Sequence, residues 1–162
     1  MVSNKIEIVK EFYKALDSGD YRTVNEFYHK NAHYKDEIFD FKGLEIHALW
    51  YTATLPDMEL SAELESIREE EDAIYTEWVM SYTLDIIKRR IRLKEKGKFT
   101  FQEGKIIEHT DKYDFWTWCI QAFGIIGRAL GWSNWLQNRV RSQAKKSVLS
   151  HLYSAQGKIN KN

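Results

Sequence analysis

Apolar residues recur at helical spacing at the start of the chain. Ile6, Val9, Phe12, Tyr13 and Leu16 fall on one face of a helix over residues 5–17. Ser18-Gly19-Asp20 ends it, because glycine readily takes the left-handed conformation past a helix C-terminus. A second helix is expected over 21–29, burying Val24, Phe27 and Tyr28, and a short strand over 33–39. Gly43 opens a third helix through about residue 54, with Ile46, Leu49 and Trp50 on one face, and the single proline, Pro56, breaks it. The period then switches to two. Met58, Leu60, Ala62 and Leu64 alternate with Glu59, Ser61, Glu63 and Glu65, a half-buried strand with an acidic outer face. Residues 66–72 (SIREEED) read as a charged turn. Residues 73–87 read as a longer strand, with Tyr75, Glu77, Val79 and Ser81 opposite Ile74, Thr76, Trp78, Met80 and Tyr82. Residues 88–103 carry another, with Ile91, Leu93, Phe99 and Phe101 as its apolar positions. The basic run KRRIRLKEKGK around it reads as a solvated edge or turn, which discourages stray strand pairing.

Glu103-Gly104 supplies a hairpin turn, and GKIIEHTDKYDFWTW follows over 104–118. As a strand this segment puts His109, Asp111 and Tyr113 on one face with Ile107 and Phe115, because side chains two apart point the same way. His109 and Asp111 then lie about 6–7 Å apart along the strand. Buried, such a face is either the wall of a polar-tipped pocket or an expensive piece of core. The final third changes character. Residues 115–136 are dense in Trp, Ile and Phe, and 133–153 return to an amphipathic helical pattern with Trp135, Leu136, Val140, Ala144, Val148 and Leu152. The end, SAQGKINKN, is polar and expected to fray. The order helix, helix, strand, helix, four strands, helices predicts an α+β domain. A strongly curved antiparallel sheet folded over the N-terminal helices would create a cone with a cavity inside. The expected division is 1–116 for the cone, 117–156 for a helical extension packed on it, and 157–162 for the frayed tail.

Composition narrows the function classes. Aromatic residues make up 14% of the 162, with six Trp, nine Tyr and eight Phe, enough for a bulky core or an aromatic binding wall. The 24 basic and 24 acidic residues balance, so a nucleic-acid footprint is not expected. One cysteine, Cys119, permits no internal disulfide and offers no paired metal spacing; it reads as a small buried hydrophobe. No metal site is expected, since His29 and His33 straddle a helix-to-strand boundary without an acidic or cysteine cluster. The N-terminal MVSNKIEIVKEF is charged throughout and is not a secretory signal, and residues 115–136 are too interrupted for a membrane span. A cytoplasmic location is the default expectation.

Three segments carry a family resemblance: FYKALDSGDYRTVNEFYHKNAHYKDEIFDFKG (12–43), FTFQEGKIIEHTDKYDFW (99–116) and FGIIGRALGWSNWLQNRVRSQAKK (123–146). They resemble the nuclear transport factor 2-like superfamily and, within it, the SnoaL-like group, with polyketide cyclases and ketosteroid isomerase-like proteins. The resemblance implies a cone-shaped α+β barrel with one deep hydrophobic pocket. Its enzymes include isomerases, cyclases, dehydratases and epoxide hydrolases, and its other members bind proteins or small ligands. It implies no cofactor. Asp36 falls on the isomerase's general base, with Tyr34 on the same face, and Asp111 matches the acid/base of the cyclases, with His109 beside it. The isomerase's tyrosine falls on Phe12, with Tyr13 one position along, and its protonated acid falls near Gly97, which has no side chain. Steroid isomerisation by that constellation is therefore not expected.

The catalytic candidates are thus Asp36, His109 and Asp111. Phe12, Tyr13, Tyr34, Trp50, Trp78, Tyr82 and Tyr113 are the candidate pocket walls, and a small apolar or carbonyl-containing molecule is the expected ligand. Alternatives remain open. His109 equally fits a satisfied core histidine, and Asp111 either an exposed group or one bonding neighbouring backbone or Lys112. The chain is accordingly read as an acid/base enzyme, a non-catalytic ligand-binding module, or a dimerisation scaffold whose cone is plugged by aromatics. The tail with Trp116, Trp118, Trp132 and Trp135 is expected to cap the cone or seal a homodimer. Contact with a membrane surface through Arg139, Arg141, Lys145 and Lys146 is the less favoured option.

Overall fold

A computed structural model describes the backbone of residues 4–84 and 87–159 and, within these, the side chains as far as Tyr153. Two helices, α1 (Asn4–Asp17) and α2 (Tyr21–Glu26), open the chain. Gly19 takes a φ of 74° between them, and the Asp20 carboxylate caps α2 by accepting from the Thr23 amide at 3.1 Å. Strand β1 (Tyr28–Lys35) begins inside the expected second helix, so Tyr28 is a strand residue pointing into the core. A turn at Asp36 leads to β2 (Asp40–Lys42), then to α3 (Leu44–Ala53) and a short 3-10 turn at Pro56–Met58. Four strands follow: β3 (Ser61–Glu70), β4 (Ala73–Leu84), β5 (Arg89–Gln102) and β6 (Lys105–Lys112). The extension folds as α4 (Phe115–Phe123), α5 (Ile125–Leu130) and α6 (Asn134–Ile159).

The six strands form one open sheet in the order β2-β1-β6-β5-β4-β3. Every pairing is antiparallel except β1 with β6, which run parallel. With the helices on its inner face, the architecture is the expected α+β cone. Phe12 from α1 sits at the centre, in edge contact with Tyr13, Phe27, Tyr28, Trp50, Phe99 and His109.

Four local expectations are corrected. Residues 66–70 are strand rather than turn. Leu64 pairs with Trp78 and Ser66 with Glu77, so Glu65 is a bulge that moves the inward phase to Ile67. Beyond Lys88, which lies in the turn before β5, the basic run is neither an edge nor a turn. It lies on β5, between β4 and β6, and points Arg92, Lys94, Lys96 and Lys98 outward. In β6 the pairs Phe101–Ile106 and Thr100–Glu108 leave Ile107 as an extra residue, so Ile106, not Ile107, shares the inner face with His109 and Asp111. Tyr113 lies just past β6, and Phe115 already belongs to α4. The helix α6 continues through Ile159, where a frayed end was expected, and residues 160–162 lie outside the described residues, as do 85–86 of the expected 73–87 strand. The hairpin turn is as expected: Glu103 and Gly104 take φ of 53° and 75°, the paired positive values that a tight two-residue turn requires.

Candidate functional site

The curved sheet brings Asp36, His109 and Asp111 into one interior and adds a carboxylate that sequence reading missed. His109 pairs across the strands with Tyr34 on one side and Phe99 on the other. Its ring stacks on Phe99 with centroids 4.0 Å apart. Its Nδ1 lies 2.6 Å from the Tyr28 hydroxyl, which accepts from Trp50 Nε1 at 3.1 Å. Burial holds the Tyr28 phenol well above its ordinary range, so it keeps its proton. With the Tyr28 O–H donating a hydrogen bond to Nδ1, the ring N–H lies on Nε2. That atom is 3.0 Å from Asp111 Oδ2, an electrostatic contact not aligned as a hydrogen bond. Asp111 Oδ1 accepts from Trp78 Nε1 at 3.2 Å. His109 and Asp111 are each 1% exposed, so the pair is wholly internal.

The inner end of the cone is filled. Gly97 stands between Thr76 and Asp111 in the sheet. A methyl group there would come 2.4 Å from Thr76 Oγ1 and 3.0 Å from Tyr13 Oη. Tyr13 and Thr76 hydrogen-bond each other at 2.9 Å, so the room left by the missing side chain is taken by their hydroxyls. Phe12, Tyr13, Tyr34, Trp50 and Trp78, expected as pocket walls, are all buried core residues, whereas Tyr82 and Tyr113 are half-buried.

The missed residue is Glu95. It lies in phase with Ile91, Leu93, Gly97 and Phe99 on β5, pairs with Trp78 across the sheet, and is 1% exposed. Its Oε1 has no hydrogen-bond partner among the described residues, and neither do Asp111 Oδ2 and His109 Nε2. Burial pushes the Glu95 carboxyl well above the carboxylate range, and Asp111 and Asp36 push it further. Burial and the neighbouring acids thus favour its neutral form, which has an O–H to donate. The signal was in the alternation: a glutamate in the apolar phase of IRLKEKGKF.

Asp36 sits nearer the surface, in the turn after β1. Its Oδ1 accepts from the amides of Ile38 and Phe39 at 2.7 and 2.6 Å, and its Oδ2 accepts from the Tyr34 hydroxyl at 2.9 Å. These bonds favour the charged form, yet burial outweighs them and raises the carboxyl to about 7, with a smaller push from Asp111. The half-buried phenols of Tyr82 and Tyr113 complete this end; both are raised chiefly by burial and further by Asp36 and Glu95. Over them lies α4, whose Phe115, Trp118, Cys119 and Ala122 pack with Ile91 and Leu93, and Trp118 Nε1 donates to Tyr82 Oη at 2.6 Å. The surface depressions lined by Pro56, Asp57, Glu59, Thr83 and Lys88, and by residues of α6 from Ser142 to Tyr153, lie away from these carboxylates. Among the described residues no three His, Cys, Asp or Glu side chains are grouped to hold a metal ion, and no helix is long and apolar enough to cross a membrane.

An open, curved six-stranded sheet wrapped over two N-terminal helices is the NTF2-like fold. The SnoaL-like domain matches residues 9–109, and the chain belongs to that family. Among solved structures, an LEH-like epoxide hydrolase of M. tuberculosis is similar with a TM-score of 0.64 at 18% identity, over 78% of this chain and 96% of that one. A protein of ketosteroid isomerase-like fold from Catenulispora acidiphila, solved with trimethylamine, aligns at 0.63 and 13%, over 72% and 92%. A de novo designed protein with a curved sheet aligns at 0.56 and 14%, over 70% and 88%. These likenesses show the fold alone. No curated protein matches the chain in sequence.

Proposed function

We propose that this SnoaL-like protein catalyses proton transfer on a small apolar carbonyl compound, with Asp36 as acid/base and Glu95 as the neutral donor to the carbonyl oxygen. The observation that carries this reading is the unpartnered buried oxygen Glu95 Oε1, together with an Asp36 carboxyl raised to about 7. Leaving such an atom unpaired costs about 1–3 kcal/mol, which a purely structural interior would avoid with an apolar side chain. A carboxyl near neutrality suits a general base at working pH. Ionised Asp36 takes a proton from the carbon beside the carbonyl; that C–H electron pair becomes the enolate double bond. The Glu95 O–H donates a hydrogen bond to the oxygen that gains the charge, and the proton returns from Asp36 to carbon. Glu95 lies two residues from Gly97, where the isomerase family's acid would fall, so the donor is moved one inward position along β5. His109 and Asp111 are positioning residues in this scheme, held by Tyr28 and Trp78.

Because Glu95 is 1% exposed, substrate reaches it only when the α4 side, with Trp118 on Tyr82, opens. That closure favours a second reading, a non-catalytic module with a filled cone. The two separate on a panel of cyclic ketones, lactones and epoxides assayed for turnover and α-proton exchange into D2O. The catalytic reading expects activity that Asp36→Asn lowers by about 10²–10⁴-fold. Exchange unchanged by Asp36→Asn and Glu95→Gln would sink it in favour of the module.

A further inference from the structure

Between α4 and the start of α6 the chain makes an elbow through α5 that carries large apolar side chains outward. Gly127 of α5 packs so closely on α4 that a methyl group there would come 1.8 Å from the Cys119 carbonyl oxygen, and one on Gly131 would come 2.8 Å from Cys119 Cβ and 3.1 Å from Trp116 Cδ1. The indole of Trp116 donates to the Arg128 carbonyl at 3.3 Å, and that of Trp132 to the Ala129 carbonyl at 2.8 Å. The glycines thus clamp α5 down, while Ile125 is 88% exposed, Ile126 64%, Trp132 73% and Trp135 66%. An elbow folded only for stability would turn the isoleucines inward. Large exposed apolar patches of this kind mark interaction surfaces.

Charge says what covers it. All 24 acidic residues lie before residue 115, and seven of the 24 basic residues lie after it, so the segment from Phe115 to Asn162 is free of acids. Arg128 and Arg139 are exposed within and beside the elbow. Basic residues around a Trp- and Ile-rich face are what an anionic lipid surface attracts, with indoles resting at headgroup level. We infer that the α4–α5–α6 elbow docks this protein reversibly on anionic membranes, lying on the bilayer without crossing it. The inference does not depend on the catalytic reading. The elbow includes α4, the element that packs over Tyr82 and Tyr113, so docking would bring the covered end of the cone to a source of apolar molecules.

The test is flotation of the full chain with vesicles of phosphatidylcholine alone and of phosphatidylcholine mixed with phosphatidylglycerol. Binding is expected to the anionic vesicles only, falling steeply with salt. Trp132→Ser with Ile126→Ser should abolish it, and Arg128→Gln with Arg139→Gln should weaken it about tenfold or more. Quenching of wild-type tryptophan fluorescence by brominated anionic lipid gives the same answer without any variant. Absence of flotation and quenching in the folded wild type overturns the inference, and so does equal binding to neutral vesicles. A dimer in light scattering that Ile126→Ser breaks, with no vesicle binding, would assign the face to a second copy of the chain and likewise overturn it.

Discussion

The interior of the cone and the C-terminal elbow invert the usual rule in opposite directions. Inside, Glu95, His109 and Asp111 occupy positions where the sheet's alternation calls for apolar side chains. Outside, Ile125, Ile126, Trp132 and Trp135 face solvent where polar residues would dissolve better. Burying an unpaired carboxyl and exposing an indole each work against stability or solubility. The comparison therefore locates two places where selection for folding alone is a poor explanation: one reads as chemistry, the other as contact. The intervening helix α4 belongs to both, packing inward through Trp118 and outward through Trp116.

The comparison breaks most visibly at Glu95. Glu95→Leu is expected to abolish turnover and yet to raise stability by about 1–3 kcal/mol, by removing an unpartnered buried acid. A melting curve beside an activity assay checks both, and a destabilised variant would mean that the acid is structural. Next comes Gly97→Ala. A Cβ 2.4 Å from Thr76 Oγ1 overpacks the filled inner end and should cost about 1–3 kcal/mol in denaturant unfolding. An unchanged midpoint would show that the Tyr13–Thr76 pair yields freely. The elbow should respond least: Ile125→Ser is expected to change stability by no more than about 0.5 kcal/mol, since that side chain is 88% exposed. A larger loss would mean that the isoleucine is covered in solution.

Acidity sharpens the same contrast. Asp36 is raised from an ordinary 3.8 to about 7, so between these values the folded chain keeps a proton that the unfolded chain has lost. Stability from this group is complete below about 4 and declines as pH rises towards 7, and Glu95, raised in the same direction, adds to the decline. Thermal midpoints measured from pH 4 to 8 should fall, and the fall should be shallower in Asp36→Asn. Turnover should run the other way over the same range, rising as Asp36 ionises while Glu95 stays protonated.

Much of this was legible in the residues themselves. Helices α1 and α3, the Glu103-Gly104 hairpin, and the inward placement of His109 and Asp111 follow from periodicity and turn chemistry. The failures have local causes. Bulges at Glu65 and Ile107 each add one residue and flip the phase, which hid the end of β3 and exchanged Ile106 for Ile107. Glu95 was lost in a run of lysines and arginines whose charge drew more attention than its alternation. The turn that gives Asp36 its three hydrogen bonds depends on the β1–β2 corner, which no spacing reveals. The tail's tryptophans mark it as a contact region, but which side chains face outward depends on Gly127 and Gly131 making the inward contact, and spacing does not show that.

If the cone's carboxyls are poised for proton transfer near neutrality, carbon-13 NMR titration of the Asp36 and Glu95 side chains reads that poise without a substrate. A midpoint of about 7 is expected for Asp36, with Glu95 titrating well above the ordinary glutamate range. Midpoints near 4 for both would overturn the proton-transfer reading.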